Sequence, residues 1–202
     1  NGKYAHGDTI SEAKKDLIYK IKDKDKSAYE SLNLDSVLSF EEAIEWLVSA
    51  GMLNRMYNIS KPEHPLSAFD ILDSFKLFLF DTGLLKYMAG IDNSAILLKS
   101  DYQFKGALTE NFVLQQLQSQ FETKPRYYST KNMEIDFIIQ NNTEIIPIEV
   151  KAGEEKSAPS FKKYIANNSP EHAIRFSKRG YRKDGAITNI PLYLASKLYE
   201  LL

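Results

Sequence analysis

Three acidic residues and one lysine have the types and order of a metal-assisted hydrolytic site. They are Glu110, Asp136, Glu149 and Lys151. Carboxylate oxygens are the ligands that Mg²⁺ and Mn²⁺ prefer, and such an ion acidifies a bound water and neutralises charge on a phosphate. We interpret Asp136, Glu149 and Lys151 as candidate catalytic residues, and Glu110, Asp136 and Glu149 as candidate ligands for Mg²⁺ or Mn²⁺. Lys151 can orient the attacking water or stabilise developing charge.

A β-hairpin is predicted to position Asp136, Glu149 and Lys151. Residues 134–140 and 144–151 are of strand length and rich in β-branched residues, and the asparagines between them favour a turn. Side chains alternate faces along a strand, so a loop of two or four residues places the three charged side chains on one face. The carbonyl of Val150 is a further candidate ligand.

Apolar side chains of the same hairpin predict the opposite, buried face. We expect that face to hold Ile135, Phe137, Ile139, Ile146, Ile148 and Val150. A slip of one residue would bury the carboxylates, so the core is expected to fix their alignment. Glu134 shares the Asp136 face in this scheme and is a spare ligand.

Glu110 is predicted to lie on a helix that spans residues 101–121. The spacing of Leu108, Phe112, Leu114 and Leu117 is helical rather than strand-like. On such a helix Glu110 either reaches the sheet as a third ligand or faces solvent, and the spacing fits both.

The ordered set resembles the PD-(D/E)xK nuclease-like superfamily, which includes restriction endonucleases and Holliday-junction resolvases. The closer resemblance is to the C-terminal domain, of uncharacterised function, in many prokaryotic AAA+ ATPases. Matching fragments run from about residue 40 to the C-terminus, and the resemblance is carried by residues 74–85, 106–117, 127–128, 134–137 and 148–151. A lone Glu-x-Lys is a weak signal, whereas the ordered set is a more specific one.

The resemblance implies an α/β (α+β) fold with a restriction-endonuclease-like mixed sheet flanked by helices. It implies a nuclease-like domain that acts on nucleic acid, with DNA favoured, beside an AAA+ ATPase domain in the same protein. The chain has no G-x-x-x-x-G-K-[ST] motif, so we expect that ATP is not bound by this chain. We also expect the chain to be a fragment of a longer protein or a shortened relative.

A second interpretation assigns the same fold to a module that does not catalyse hydrolysis. The domain would then serve an attached ATPase as a nucleic-acid- or protein-binding module, and its carboxylates would be a relic or would bind metal without turnover. Fold alone does not license a reaction, so both interpretations stay open, as does homo-oligomerisation.

Composition is that of an ordinary globular protein, with 202 residues, 43% hydrophobic and 26% charged. No run approaches the ~18 apolar residues of a membrane span, so we expect no membrane partner. The absence of cysteine excludes disulfides, thiolate zinc sites and cysteine nucleophiles, and it fits a cytoplasmic setting. The three histidines lack the spacing of a zinc hydrolase.

Basic residues concentrate near the C-terminus. The net charge is −1, but residues 151–202 hold ten basic and five acidic residues. The nucleic-acid-binding candidates among them are Lys162, Lys163, Arg179 and Arg182. A solvated surface explains the same residues, and only proximity to Asp136 and Glu149 would favour contact with phosphate.

The chain is predicted to divide into a helical, winged-helix-like region, residues 1–95, and a nuclease-like domain, residues 96–202. A charged helix is expected at 9–26. A capping box at Ser39–Glu42 is expected to start a second helix that ends at Gly51. That helix is acidic and therefore poorly suited to DNA recognition, so we favour a packing or protein-contact role.

Shorter elements complete the prediction. An extended segment is expected at 52–59 and a buried strand at 77–80, followed by a short helix with Asp81 as its N-cap. Near the C-terminus we expect strands at 171–177 and 187–192 and helices at 160–167 and 194–202.

Overall fold

The computed structural model describes residues 34–93, 104–153 and 158–202, with side chains from residue 41 onward. The helix predicted at 9–26 and the boundary predicted between residues 95 and 96 lie outside these ranges. None of the helices in the described part of the chain has the length and apolar content that a membrane crossing needs.

One mixed sheet of eight strands organises the described residues, which confirms the predicted α+β fold class. The strands are β1 Leu53–Ile59, β2 Asp70–Leu79, β3 Arg126–Thr130, β4 Met133–Asn141, β5 Glu144–Val150, β6 Ala173–Ser177, β7 Arg182–Asp184 and β8 Ile187–Pro191. Their order is β2-β1-β3-β4-β5-β6-β8-β7. The β1–β3, β5–β6 and β6–β8 pairs are parallel, and the other four are antiparallel.

Helices lie before, between and after the strands. The described residues form α1 Leu34–Ser49, α2 Thr82–Met88, α3 Lys105–Gln118, α4 Pro159–Asn168 and α5 Leu198–Leu201, with short 3-10 helices at Leu66–Phe69 and Leu192–Lys197. The predicted closing helix is thus a 3-10 segment that runs into α5.

Two apolar cores cover the two faces of the sheet. In the first core, Val113 and Leu117 of α3 pack on a strand face that includes Phe137 and Ile148. The second core packs α4 on the opposite face, and its members include Ile135, Ile138, Phe161 and Tyr164. Helices on both faces explain why residues 137–139 of β4 and 145–148 of β5 form continuous apolar runs rather than alternating.

A β-bulge in β4 interrupts the predicted alternation. Tyr128 pairs with Ile135 and Arg126 pairs with Ile138, so Asp136 and Phe137 together lie opposite the single residue Tyr127. The prediction that Ile135 shares the buried face of Phe137 is therefore wrong, because the extra residue turns Ile135 toward the second core. A bulge re-aims the side chain it carries, and here that side chain is Asp136.

The segments before residue 95 belong to the same sheet. β1 pairs with β2 along its length and with β3 at Asn58 and Tyr127. The division of the chain at residue 95 stays a prediction.

Two predictions about these early segments are wrong. α1 begins at Leu34, so Ser39 lies inside the helix and cannot cap it. The strand predicted as buried at 77–80 is part of the edge strand β2, where Leu77 and the following Phe80 are 40% and 46% exposed and Phe78 alone reaches the core.

The predicted N-cap is confirmed. The Leu84 N–H donates to Oδ1 of Asp81 at 2.7 Å, and α2 follows directly. The carboxylate is therefore engaged in capping, as its sequence position indicated.

Candidate functional site

The β4–β5 hairpin has the register that the sequence predicts. Asn141 pairs with Glu144, so the turn is the two-residue loop Asn142–Thr143, and Asn142 adopts a φ of 53°. Asparagine tolerates this left-handed conformation better than most residues do. The last pair of the ladder, Phe137 with Ile148, stands next to Asp136 and Glu149 and brings these two residues to the same end of the hairpin.

Beyond the last β4–β5 pair, a side chain of β4 rather than its backbone accepts the next hydrogen bond from β5. That side chain is the carboxylate of Asp136. The Lys151 N–H donates to the Phe176 carbonyl of β6 at 2.8 Å, so the preceding N–H, that of Val150, faces β4. Oδ2 of Asp136 accepts that N–H at 2.7 Å. Burial raises the pKa of Asp136, while this hydrogen bond and the charges of Lys76 and Lys151 oppose the rise.

Glu149 is a buried carboxylate held by Lys151. Its residue is only 6% exposed, and its Oε1 lies 2.5 Å from Nζ of Lys151. Burial and then the charge of Asp136 raise the pKa of Glu149 to about 7, although Lys151 opposes the change. A carboxyl group with this pKa exchanges its proton near neutral pH, which suits a group that also binds a cation.

Glu110 joins the cluster from α3. Burial and then the charge of Asp136 raise the pKa of Glu110 to about 7, against the opposing charge of Lys76. The carboxylate therefore shares an electrostatic environment with Asp136 rather than facing open solvent. The structure thus places all four candidate residues of the predicted constellation at one end of the β4–β5 hairpin.

Two further charged side chains lie in the cluster, Lys76 and Glu134. Glu134 was predicted only as a spare ligand, and Lys76 was not predicted. Nζ of Lys76, on β2, lies 2.5 Å from Oε1 of Glu134, the predicted spare ligand, and 4.9 Å from the centre of the Tyr127 ring. Burial lowers the pKa of Lys76, but the ion pair with Glu134 and the charges of Glu110 and Asp136 together outweigh it and leave the pKa above its usual value. In the sequence, Lys76 is marked only by being the one charged residue among the apolar residues 75–80.

The donor set suits a hard divalent ion. Glu110, Asp136 and Glu149 offer carboxylate oxygens alone, which fits Mg²⁺ or Mn²⁺ better than a softer metal. In the described part of the chain, no three histidine, aspartate or glutamate side chains are already gathered at metal-ligand spacing. Lys151 instead holds one of the candidate ligands, Glu149.

The four predicted nucleic-acid-binding residues lie in three places. Arg179 follows β6, whose end is fastened beside β5 by the Lys178 N–H, which donates to the Gly153 carbonyl at 3.1 Å. Because β5 and β6 are parallel, Arg179 lies at the end of the sheet where Lys151 emerges. Arg182 instead begins the edge strand β7 and pairs with Asn189 of β8, three strands from β5. Arg182 also pairs with Asp184 at 3.2 Å.

Lys162 and Lys163 are exposed on α4. That helix packs on the second core through Phe161 and Tyr164. Across the described ranges, no hydrogen bond or ion pair joins either lysine to the carboxylate cluster.

A row of in-register polar residues continues from Glu149 across the sheet. Arg175 pairs with Glu149 in β5 and with Asn189 in β8, and it is only 4% exposed. Its Nε donates to Oδ1 of Asn189 at 3.1 Å, and that oxygen also accepts the Ser177 hydroxyl at 2.7 Å. Arg175 belongs to the basic residues that concentrate near the C-terminus, but its apolar neighbours in β6 gave no sign that it lies beside Glu149.

Two family models match the chain. Residues 105–194 match a domain of unknown function, DUF4143, and residues 26–95 match a second domain of unknown function, DUF8612. No curated protein and no solved structure matches the chain. The first match contains Glu110, Asp136, Glu149 and Lys151, and it confirms the predicted likeness to a domain of uncharacterised function; the second contains Lys76.

Proposed function

We propose that this chain carries a divalent-metal-dependent nuclease-like domain that hydrolyses phosphodiester bonds, in the manner of the PD-(D/E)xK superfamily. The observation that carries the proposal is the convergence of Glu110, Asp136 and Glu149 with Lys151 at one end of the β4–β5 hairpin. Burial raises the pKa of all three carboxyls, and the charge of Asp136 raises those of Glu110 and Glu149 further. Such a cluster is costly to keep ionised without a cation, and a divalent ion would relieve that cost.

The chain's own residues have separable roles in this proposal. Asp136, fixed by the Val150 N–H, would hold the ion together with Glu149 and Glu110. When bound, Mg²⁺ or Mn²⁺ would acidify water and neutralise phosphate charge. Lys151, released from Glu149, would donate from Nζ to a phosphate oxygen or to the attacking water and so stabilise negative charge in the transition state.

The substrate would lie along the sheet edge beyond β5. Arg179 follows the end of β6 beside that edge, Arg182 lies farther away on β7, and both would bind backbone phosphates, with DNA the favoured substrate. Arg175 lies one strand from Glu149 and would contribute positive charge behind the cluster. Lys162 and Lys163 would extend the basic surface along α4.

The wider setting also belongs to the proposal. We infer from the resemblance that an AAA+ ATPase domain accompanies this chain in the full-length protein, in the cytoplasm of a prokaryote. The α1–β1–β2 segment would be the winged-helix-like part and would serve packing or protein contact, because Glu41, Glu42 and Glu45 make α1 acidic. A homo-oligomer would suit cleavage of both strands of a duplex.

A non-catalytic binding module is the second candidate. The ion pair of Lys151 with Glu149 at 2.5 Å favours it, because this pair satisfies a carboxylate that the nuclease reaction would need. In this case the cluster binds nucleic acid or metal for an attached ATPase without turnover.

Incubation of the purified chain with a nucleic-acid panel separates the two candidates. The panel holds single-stranded, duplex and branched DNA and the matching RNAs, each tested with Mn²⁺, with Mg²⁺ and with EDTA. We expect cleavage of at least one DNA with Mn²⁺ and none with EDTA, because the carboxylates alone provide no acidified water. Binding without cleavage on every substrate would favour the second candidate.

A further inference from the structure

The edge strand β2 is fastened to the strands of the candidate site by side chains rather than by backbone pairing. Nε and Nη2 of Arg126, on β3, donate to the two carboxylate oxygens of Asp70, both at 3.0 Å. Further along, the hydroxyls of Ser74 and Tyr127 lie 3.0 Å apart. These contacts hold β2 in a fixed position against β3, although β1 lies between the two strands in the sheet order.

Lys76 is the third contact in this series and the one that reaches β4. Its ion pair with Glu134 and its position over the Tyr127 ring place the ammonium beside the carboxylate cluster. The charges of Glu110 and Asp136 act on Lys76 as well. The Lys76 side chain keeps 30% of its surface exposed and that of Glu134 keeps 52%, so the ammonium has access both to the cluster and to solvent.

A cation in this position has two consequences. In the metal-free protein Lys76 neutralises part of the cluster, and so it competes with any divalent ion that the carboxylates would bind. A divalent ion on the carboxylates would repel the like charge of Lys76 and so weaken the hold of the cluster on it. The ammonium would then interact with an anion that approaches from solvent, which on a nucleic acid is the backbone phosphate.

We propose that Lys76 is a phosphate-contacting residue of the candidate site. The site would then combine residues from both matched segments, with Lys76 from residues 26–95 and the carboxylates from residues 105–194. This inference rests on the proposed nucleic-acid substrate. It deepens the proposal by assigning β2 to the site and by giving Lys76 opposite effects on two ligands. Lys76 favours phosphate binding and disfavours metal binding.

The test compares the wild type with three variants in the full chain. Lys76→Met removes the charge, Lys76→Arg keeps it, and Lys61→Met removes a similar charge from an exposed loop within the same matched region. Calorimetry measures the affinity for Mn²⁺. Anisotropy of a fluorescein-labelled DNA duplex, with Ca²⁺ in place of Mn²⁺ to keep the DNA intact, measures nucleic-acid binding.

We expect Lys76→Met to bind Mn²⁺ about 3- to 10-fold more tightly and to bind DNA weaker by a similar factor, because one charge acts in opposite senses on a cation and an anion. Lys76→Arg keeps the charge and should lie nearer to the wild type than Lys76→Met for both ligands. Lys61→Met, outside the site, should stay within about twofold of the wild type for both ligands. A purely structural role for Lys76 would weaken both affinities together, and that result would overturn the inference. Unchanged affinities in Lys76→Met would overturn it as well.

Failure of the inference and failure of the proposed function give different results. If the wild type cleaves DNA and Lys76→Met behaves as the wild type does, the inference falls alone. If the opposite shifts appear but no substrate is cleaved, Lys76 belongs to the site and the hydrolytic proposal falls. If the wild type binds neither Mn²⁺ nor DNA, both are overturned.

Discussion

Replacement of Asp136 by asparagine is expected to lower Mn²⁺-dependent cleavage by about a thousandfold or more. The amide oxygen of the introduced side chain would still accept the Val150 N–H, so the end of the hairpin should keep its structure. The substitution removes the negative charge that the divalent ion needs. Cleavage of the substrate identified in the panel, followed under single-turnover conditions, measures the effect, and thermal unfolding checks that the fold is intact.

Glu144→Gln is the matched control for Asp136→Asn. Glu144 lies at the opposite end of the same hairpin, beside the turn, and pairs with Nδ1 of His172 at 2.7 Å. Loss of this ion pair should leave cleavage within about twofold of the wild type. The pair lies away from the carboxylate cluster, and surface ion pairs contribute only ~0–1 kcal/mol to stability, so the fold should stay intact. Undiminished cleavage by pure Asp136→Asn protein would remove the assignment of this carboxylate to the reaction.

Stability of the metal-free protein should fall as pH rises toward neutrality. Burial is the main reason that Glu110 and Glu149 have a pKa of about 7 in the folded protein, against 4.5 for an ordinary glutamate. Because the folded pKa is raised, the stabilisation is fully present below about pH 4.5 and is lost as pH rises through about 7. We expect the free energy of unfolding in EDTA to drop by roughly 2 to 5 kcal/mol between about pH 5 and pH 8.

Mn²⁺ should reverse this pH dependence. The metal competes with protons for the same carboxylates, so saturating Mn²⁺ should raise the unfolding temperature strongly at about pH 8 and little at about pH 5. Denaturant unfolding in EDTA across this range measures the free energy, and thermal unfolding with EDTA and with Mn²⁺ measures the unfolding temperature. Glu149→Gln should flatten the decline in EDTA, and a Mn²⁺ effect that is equal at both pH values would contradict the account.

The hairpin that carries the site could be predicted because its determinants are local. The β-branched strands and Asn142 fix a two-residue turn, and the even loop places Phe137 opposite Ile148. Asp81 was predictable as an N-cap for the same reason, since the group that it caps lies three residues away.

The rest of the site depends on contacts that local sequence does not encode. The bulge at Asp136 places two residues of β4 opposite the single residue Tyr127 of β3. The sequence of β4 alone gives no sign of this pairing. Lys76 reaches Glu134 across 58 positions of sequence only because β2 is fastened to β3. The short strand β7 pairs with β8 through three polar residues, which carry no apolar signal.

The shared sheet has a consequence for how this protein should be studied. The segments that match the two family models are joined through Arg126 and Asp70, Tyr127 and Ser74, and Glu134 and Lys76. A fragment limited to residues 105–194 would lack β1, β2 and the Lys76 charge. Activity should therefore be measured on a chain that contains both segments.

Crystals soaked in Mn²⁺ at a pH above 7 would show whether a divalent ion binds between Asp136 and Glu149. We expect an anomalous peak in contact with the carboxylates of Asp136 and Glu149, with the ammonium of Lys151 moved away from Glu149. A map without a peak between those two carboxylates, at Mn²⁺ concentrations that support cleavage, would contradict the account.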